Sequence, residues 1–274
     1  MRHARISAAL VCAACMALLA SLPARAEKCV ILRHDAEWAV SSLAYPQFGH
    51  ARVDAALELF AARELERRVQ DMERECDRTA PGRGKIASLA GSYTLFRPSP
   101  HAVSVLFELR AASPHWSVPR RYFAARSYRL PAGEELTLAE LFQNVPEALE
   151  ILARKCSPKL LTQLLEQDTQ ERIEMAWFLR SRLIAPGYPM PDGADIAAFS
   201  QRGGNAPAMR LLEGVVHGTQ AKEENFKHFV LTPKGLRIQF EPLQLGGPEA
   251  GAPYVDLSLH ELREAKPHLE LWGK

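Results

Sequence analysis

The chain has no large excess of charge of either sign and few cysteines. It holds 34 lysines and arginines against 32 aspartates and glutamates in 274 residues, so we expect no surface built to neutralise a nucleic-acid backbone. Hydrophobic residues make up 47% of the chain and charged residues 24%, which excludes wholesale disorder, collagen and coiled coil. Only one apolar run approaches membrane-spanning length, which excludes a multispan membrane protein.

That run belongs to the first 26 residues, which have the order of a secretory signal peptide. Met1–Arg5 is basic, Ile6 to Leu22 is apolar and uncharged, and Ala24-x-Ala26 supplies the small residues beside a cleavage point. We expect cleavage and export to a Gram-negative periplasm, with no membrane span afterwards. An uncleaved anchor is the alternative, because about 17 apolar residues is the short limit for crossing a bilayer. The mature chain keeps 31 basic and 32 acidic residues.

Three cysteines remain after such cleavage, namely Cys29, Cys76 and Cys156. In an oxidising compartment, three thiols suggest one bridge and one leftover cysteine. Cys29 lies in the strand-like run Lys28–Arg33, and Cys76 ends the apolar stripe of a long predicted helix. If that helix packs on the strand, the pattern predicts a Cys29–Cys76 disulfide and a buried, inert Cys156. The mature chain has no Cys-x-x-Cys, so redox catalysis is not expected.

The first half of the mature chain predicts an α+β fold. A strand over Glu37–Leu43 precedes a helix over His50–Glu75, whose apolar residues step by three or four. Three further strands are predicted over Ser88–Phe96, Ala102–Arg110 and Tyr122–Arg129. The middle strand mostly alternates apolar and polar residues, so we expect one buried and one wetter face. A long helix laid across an antiparallel sheet follows from this order.

The second half predicts short helices and then a hairpin. Thr137-Leu-Ala-Glu140 is a capping box. Ser157-Pro158 predicts an N-cap followed by proline at the first helical position. Helices are expected over Lys159–Glu166 and Gln170–Leu183. Strands are predicted over Asn225–Thr232, Leu236–Phe240 and Tyr254–Leu257. A second capping box, Ser258-Leu-His-Glu261, opens a predicted terminal helix that ends near Lys266.

No motif of specific chemistry is present. The sequence lacks His-Glu-x-x-His and Gly-x-Ser-x-Gly, and no two histidines have helical ligand spacing. His34-Asp35 is a histidine–carboxylate dipeptide, and neighbours on a strand point to opposite faces. We therefore predict no catalytic residue, no metal site and no cofactor.

The C-terminal stretch Asn225–Leu262 closely resembles the DUF3298 (RsiV-type) domain. The resemblance rests on Phe229-Val-Leu-Thr232, Gly235-Leu-Arg-Ile-Gln-Phe240, the loop that begins Gln244-Leu-Gly-Gly-Pro, and Glu261-Leu262. The residues before it look like the DUF4163 (PdaC-type) domain. That likeness rests on Tyr45-Pro46-Gln47 before a long helix, Ser104–Phe107 and Leu136–Phe142. The resemblance implies a PdaC-like part over 27–130 and an RsiV-like part over 131–274, with an atypical insertion near 168–222.

The resemblance also implies a function. Members of this family are extracytoplasmic: RsiV-type domains of anti-sigma factors bind lysozyme, and PdaC-type domains accompany a peptidoglycan deacetylase. We therefore expect a free-standing, non-catalytic recognition domain whose partner is a lysozyme-like hydrolase, a peptidoglycan fragment or another protein or glycan of the cell envelope. An envelope hydrolase or esterase with an unrecognised site, and an accessory envelope protein that binds another protein, remain as alternatives.

The partner-binding residues are expected in the loop between the last two strands. Its prolines and glycines stiffen it, which lowers the entropic cost of binding. The family's tyrosine after Gly-Pro is replaced here by Glu249, an acid suited to a basic partner. A plain connection between strands is the alternative. The candidate residues are Gln244, Gly246, Gly247, Pro248, Glu249 and Gly251.

Overall fold

The computed structural model describes residues 28–36, 39–76, 87–114, 116, 119–165, 213–245 and 251–274. Within these ranges the fold is α+β, as predicted. The expected signal peptide and the helix predicted over Gln170–Leu183 lie outside them. No helix in the described ranges is long and apolar enough to span a membrane.

A six-stranded sheet dominates the first half, with its strands in chain order from one edge to the other. Its neighbours pair antiparallel, except that β2 and β3 run parallel. That pair is parallel because a helix returns the chain to the opposite end of the sheet between the two strands. The strands are β1 (Lys28–Ala36), β2 (Ala39–Gln47), β3 (Ala87–Ser99), β4 (Ala102–Ala112), β5 (Arg120–Arg129) and β6 (Glu134–Glu135).

The connecting helix is α1 (Ala51–Cys76), and it confirms the helix predicted from periodicity. Its first turn is capped twice. Nδ1 of His50 accepts the N–H of Val53 at 3.4 Å, and the Asp54 carboxylate accepts the N–H groups of Phe48 and Gly49. One stripe of α1 is buried against the sheet. Together with buried side chains of the sheet, it makes up the first hydrophobic cluster. The residues of the stripe are Val53, Leu57, Ala61, Leu65, Val69 and Met72.

The second half pairs a helix with a three-stranded antiparallel sheet. The helix is α2 (Val145–Leu165), and the strands are β7 (Phe229–Thr232), β8 (Gly235–Gln239) and β9 (Tyr254–Ser258). Buried side chains of both elements form a second hydrophobic cluster. At the outer edge of β9, the side chains of Lys159 and Gln163 donate to the carbonyls of Asp256 and Tyr254 at 2.8 and 2.7 Å. Helix α2 therefore satisfies a strand edge that would otherwise be unpaired.

The two sheets meet on β4, where the prediction of one wetter face is wrong. Phe107 and its same-face neighbours contact the first cluster, as expected. On the other face Leu106 is also buried, in a small cluster with Val230 of β7. The buried Ser104 hydroxyl accepts the N–H of Leu231 at 3.0 Å and lies 2.7 Å from the hydroxyl of Ser127. This face is covered because β7 packs across β3, β4 and β5. The domain boundary near residue 130 stays a prediction.

The predicted helix start at Ser157-Pro158 is wrong, because both residues lie inside α2. Proline has no N–H to donate to the carbonyl four residues earlier. The helix nevertheless continues, since Leu152, Cys156 and Leu160 hold one buried stripe through this point. The Ser157 hydroxyl donates to the Ala153 carbonyl at 2.9 Å, so it is not a cap.

The predicted Cys29–Cys76 disulfide is also wrong in this structure, where Cys29 is a free and exposed cysteine. Cys29 pairs with Pro46, close to the start of α1 at Ala51, whereas Cys76 is the last residue of that helix. The 25 rises from Ala51 to Cys76 span about 37.5 Å. The five steps from Pro46 to Ala51 span at most about 18 Å. The paired residues Cys29 and Pro46 are at most about 5.5 Å apart. The two Cα atoms are therefore at least ~14 Å apart, against about 7 Å at most in a disulfide. Cys156 is free and buried, as expected.

The second predicted capping box is confirmed. Glu261 Oε2 accepts the backbone N–H and the hydroxyl of Ser258 at 2.9 and 2.8 Å, and the Ser258 hydroxyl accepts the N–H of Glu261 at 3.3 Å. The helix that follows is shorter than predicted, a single 3₁₀ turn at Arg263–Ala265. In the first box, Glu140 accepts from the N–H and hydroxyl of Thr137 before a 3₁₀ turn at Ala139–Leu141.

Candidate recognition site

The predicted partner-binding residues belong to the connection between β8 and β9. This connection leaves the sheet after Gln239 and returns at Tyr254, and those two residues are paired in the sheet. A 3₁₀ turn at Pro242–Leu245 forms its first part. Gly246, Gly247, Pro248 and Glu249 lie outside the described residues, so the structure places only Gln244 and Gly251 of the six candidates.

The stem of this connection is fixed by hydrogen bonds to one carbonyl. The Pro253 carbonyl oxygen accepts the N–H of Phe240 at 3.1 Å and the side-chain amide of the buried Gln239 at 3.0 Å. Phe240 itself is fully buried in the second cluster. The described ends of the connection are therefore fixed to each other.

Gln244 has a different role from the one predicted. Its amide Nε2 donates to the carbonyls of Gly218 and Asn225 at 2.8 and 2.9 Å, so both of its hydrogens are used inside the molecule. A Cβ added at Gly218 would lie 2.7 Å from the Gln244 carbonyl oxygen, which shows how closely the two segments approach. Gln244 is therefore an anchor for the loop, and its side-chain amide has no donor left for a partner.

Gly251 contributes backbone conformation. Its φ of 72° lies in the left-handed region, which glycine adopts without the strain that a Cβ brings. The turn leads the chain back to Pro253 and into β9. The structure thus shows how the described ends of the loop are held.

Beside this stem lies a group of side chains that we call the Arg237 platform, made of Arg237, Tyr254 and Asp256. The Arg237 guanidinium lies 4.0 Å from the ring centroid of Tyr254 and donates to Asp256 from Nε and Nη2 at 2.7 and 2.8 Å. Phe96 of β3 lies on another side of the same guanidinium, with its centroid at 5.6 Å. Tyr254 is 39% exposed, so its ring remains accessible at the surface.

The electrostatics of the platform keep it rigid. The hydrogen bonds that Arg237 donates to Asp256 raise the pKa of Arg237, against the opposing effect of burial. The guanidinium therefore stays charged, and its two-pronged pairing with Asp256 fixes the plane on which Tyr254 rests. The result is an exposed ring that loses little side-chain freedom on binding.

A second polar group, the α1 charge cluster, consists of Glu64, Arg68, Tyr122, His228 and Glu241. Arg68 is 7% exposed, donates from Nε to Glu64 at 2.8 Å and stacks 4.0 Å from the Tyr122 ring centroid. Its Nη2 lies 3.7 Å from Oε1 of Glu241, and Nε2 of His228 lies 3.4 Å from the same oxygen. The cluster thus joins α1 to the start of the β8–β9 connection at Glu241.

Glu241 is held in its charged form. Burial pushes its pKa up, but the neighbouring His228 imidazole, with the charges of Lys227 and Arg68, outweighs burial and leaves the pKa below its ordinary value. A half-buried carboxylate between a guanidinium and an imidazole ties two segments together.

Sequence reasoning missed both groups. Alternation within each strand shows which residues share a face of that strand. Only the register between β8 and β9 sets Arg237 opposite Asp256 and so brings Arg237, Tyr254 and Asp256 together. The α1 charge cluster joins residues some 170 positions apart, and no local pattern reports such a contact. In the described ranges, no group of three or more His, Cys, Asp or Glu side chains is arranged to hold a metal ion.

Comparison with known proteins supports the fold. No family model matches the sequence, and no curated protein matches it. The structure is similar to that of a DUF3298 family protein from Pseudomonas aeruginosa PAO1, with a TM-score of 0.52 and 11% identity over 90% of this chain and 95% of that one. A DUF3298 family member from Bacteroides fragilis NCTC 9343 gives a TM-score of 0.45 and 10% identity over 86% of this chain and 91% of that one.

The first of these likenesses supports the DUF3298 resemblance at the level of fold. It extends over nearly the whole of both chains, including the first half. At 11% identity it shows a shared fold and carries no ligand or activity with it. The DUF4163 resemblance of the first half stays a prediction.

Proposed function

We propose that this chain is an exported, non-catalytic recognition domain that binds a cell-envelope partner through the Arg237 platform and the loop beside it. The partner is a lysozyme-like hydrolase or a peptidoglycan fragment. The proposal is supported by the DUF3298-type fold and, above all, by the exposed Tyr254 ring clamped on Arg237. Tyrosine and arginine are the residue types that dominate binding energy at interfaces.

The anchoring of the loop favours recognition over a plain connection. Gln244, Gln239 and the Pro253 carbonyl fix both ends of the segment that carries Glu249. A plain connection has no need of a half-buried glutamine amide that holds two distant carbonyls. Rigid ends lower the entropic cost of presenting the loop to a partner.

The test is a titration of the purified chain with lysozyme and, separately, with muropeptides. Tyr254→Ala is expected to weaken binding to the true ligand about tenfold or more, about 1.4 kcal/mol or more. Leu59→Ala removes another exposed apolar side chain, 52% exposed on α1, and should leave affinity unchanged. Equal affinities for the two variants would contradict the proposed site, and binding of neither probe would contradict both named ligand classes.

A hydrolase is the second candidate, and the pairing of His228 with Glu241 favours it. A histidine oriented by a carboxylate is the element that general base catalysis uses. Here the imidazole is 13% exposed and shares its carboxylate with Arg68, an arrangement that suits a structural tie. Release of soluble fragments from purified peptidoglycan by the wild type, and its loss in His228→Ala, would establish the enzyme. No release by the wild type would remove it.

A further inference from the structure

Strand β1 forms one edge of the six-stranded sheet. It pairs residue by residue with β2 along its whole length of nine residues, and in the described part of the chain no strand pairs with its other side. Most of its side chains are exposed, and Ile31 is 57% exposed. The strand holds no proline and no bulge, two features that usually protect an edge from pairing with another strand.

The side chains of β1 divide cleanly between its two faces. Val30 and Leu32 pack against the first hydrophobic cluster, so Cys29, Ile31, Arg33 and Asp35 lie on the opposite, outer face. Arg33 and Asp35 are exposed, and neither has an ion-pair partner among the residues that the structure describes. Two opposite charges thus stand two residues apart on the same face of a free edge.

We propose that β1 binds β1 of a second copy of this chain, antiparallel, about a two-fold axis at His34. Arg33 of each copy then lies opposite Asp35 of the other, which makes two ion pairs on the outer face. Leu32 lies opposite Ala36 in the same register. The two copies share one continuous sheet, and the contact is isologous, as closed dimers require. Directly opposite charges stabilise a strand pair, and like charges destabilise it.

The charges also select this register over its neighbours. An axis at Arg33 sets the two arginines opposite each other, and an axis at Asp35 does the same to the two aspartates. An axis at Leu32 sets Arg33 opposite Ile31 and Asp35 opposite Cys29, and forms no ion pair. A register shifted by one residue would place core-facing side chains of one copy opposite outer-face side chains of the other. Only the axis at His34 pairs both charges.

The test uses sedimentation equilibrium of the full chain, as processed by the cell that exports it, under reducing conditions. We expect a concentration-dependent dimer. Arg33→Asp alone and Asp35→Arg alone should each weaken self-association at least tenfold, whereas an equimolar mixture of the two variants should form a heterodimer as stable as the wild-type dimer. The matched control is Arg110→Asp, an exposed arginine on the same face of β4, and it should not change association. Far-UV circular dichroism checks that each variant is folded.

A crosslink reports the register directly. In a Cys29→Ser background, His34→Cys places one thiol of each copy at the axis, and mild oxidation with a disulfide reagent should link the copies. The native Cys29 thiols are ten residue steps apart in this register, about 33 Å, and should not link. A monomer at all concentrations would overturn the proposal. So would a dimer indifferent to Arg33→Asp, or one that links through Cys29 and not through His34→Cys.

Discussion

The guanidinium of Arg237 lies 4.0 Å from the ring centroid of Tyr254, at the point where the β8–β9 connection returns to its sheet. Asp256 lies directly opposite Arg237 in the sheet, and its carboxylate accepts hydrogen bonds from Nε and Nη2 of the guanidinium. The exposed tyrosine is therefore positioned by two charged residues that are themselves paired. Such a ring is pre-organised, and most of its interaction energy remains available to a partner.

Gln244 is expected to hold the loop in place, so Gln244→Ala should destabilise the protein. The change leaves the carbonyls of Gly218 and Asn225 without their donor, at a cost of about 1–3 kcal/mol. Urea unfolding followed by circular dichroism measures this. Gln70→Ala on the exposed face of α1 is the control and should change stability by under about 0.5 kcal/mol. Equal stability of the two variants would show that Gln244 does not anchor the loop.

Acid should remove the stabilisation that Glu261 supplies. Burial raises the pKa of Glu261, but hydrogen bonds from Lys159 and from the backbone and hydroxyl of Ser258 outweigh it and lower the pKa from 4.5 to about 2. A depressed pKa means that the stabilising charge is fully present above pH 4.5 and is lost as pH falls towards 2.

The free energy of unfolding should therefore fall more steeply between pH 4.5 and pH 2 in the wild type than in Glu261→Gln. The measurement is a series of urea titrations across that range. Glu73→Gln, on an exposed stretch of α1, should keep the wild-type slope. A Glu261→Gln curve parallel to that of the wild type would contradict the assignment.

The two free cysteines, Cys29 and Cys156, should differ sharply in reactivity. Cys29 is exposed on an edge strand, whereas burial raises the pKa of the Cys156 thiol far above its usual range. A maleimide should label Cys29 within minutes in the native protein and Cys156 only after denaturation. Mass spectrometry of peptides prepared without a reductant identifies the labelled residue. Recovery of a peptide joined through Cys29 and Cys76 would restore the disulfide that the geometry of α1 excludes.

The acid in the loop should influence the choice of partner. If the ligand is a basic protein, Glu249→Lys should weaken binding at low salt, mainly by slowing association, because rim charges act on the encounter rate. Stopped-flow or surface-plasmon measurements at two ionic strengths follow this effect. An unchanged association rate at low salt would count against a basic partner.

Much of the fold was predictable from periodicity. The helix α1 and the strands β3 to β5 lie where apolar spacing places them, and so does the turn of the β7–β8 hairpin. These signals are local, because one buried face leaves a repeating mark on the chain. Strand β7 begins at Phe229, four residues later than predicted, because a 3₁₀ turn at Glu223–Phe226 precedes it. The second half of α2 was predicted as a separate helix that begins at Ser157-Pro158. A serine–proline pair is typical of a helix start, but here the buried stripe of α2 continues through it.

Contacts between distant segments were not predictable. Ser104 and Leu106 look like a solvated face until β7 packs on them. Gln244 looks like a free polar side chain in a loop, and its carbonyl partners lie on segments up to 26 residues away. The same holds for Arg237, Tyr254 and Asp256, which meet only because of strand register. Register and packing between layers leave no periodic mark, and the candidate site depends on both.

The most direct test of the recognition role is an unbiased capture experiment. The immobilised chain, its Tyr254→Ala variant and its Leu59→Ala variant are each exposed to the same cell-envelope extract, and bound protein and glycan are identified by mass spectrometry. We predict at least one envelope component that the wild type and Leu59→Ala retain and that Tyr254→Ala loses. Identical capture by all three proteins would contradict the claim that the Tyr254 ring on Arg237 is a docking site.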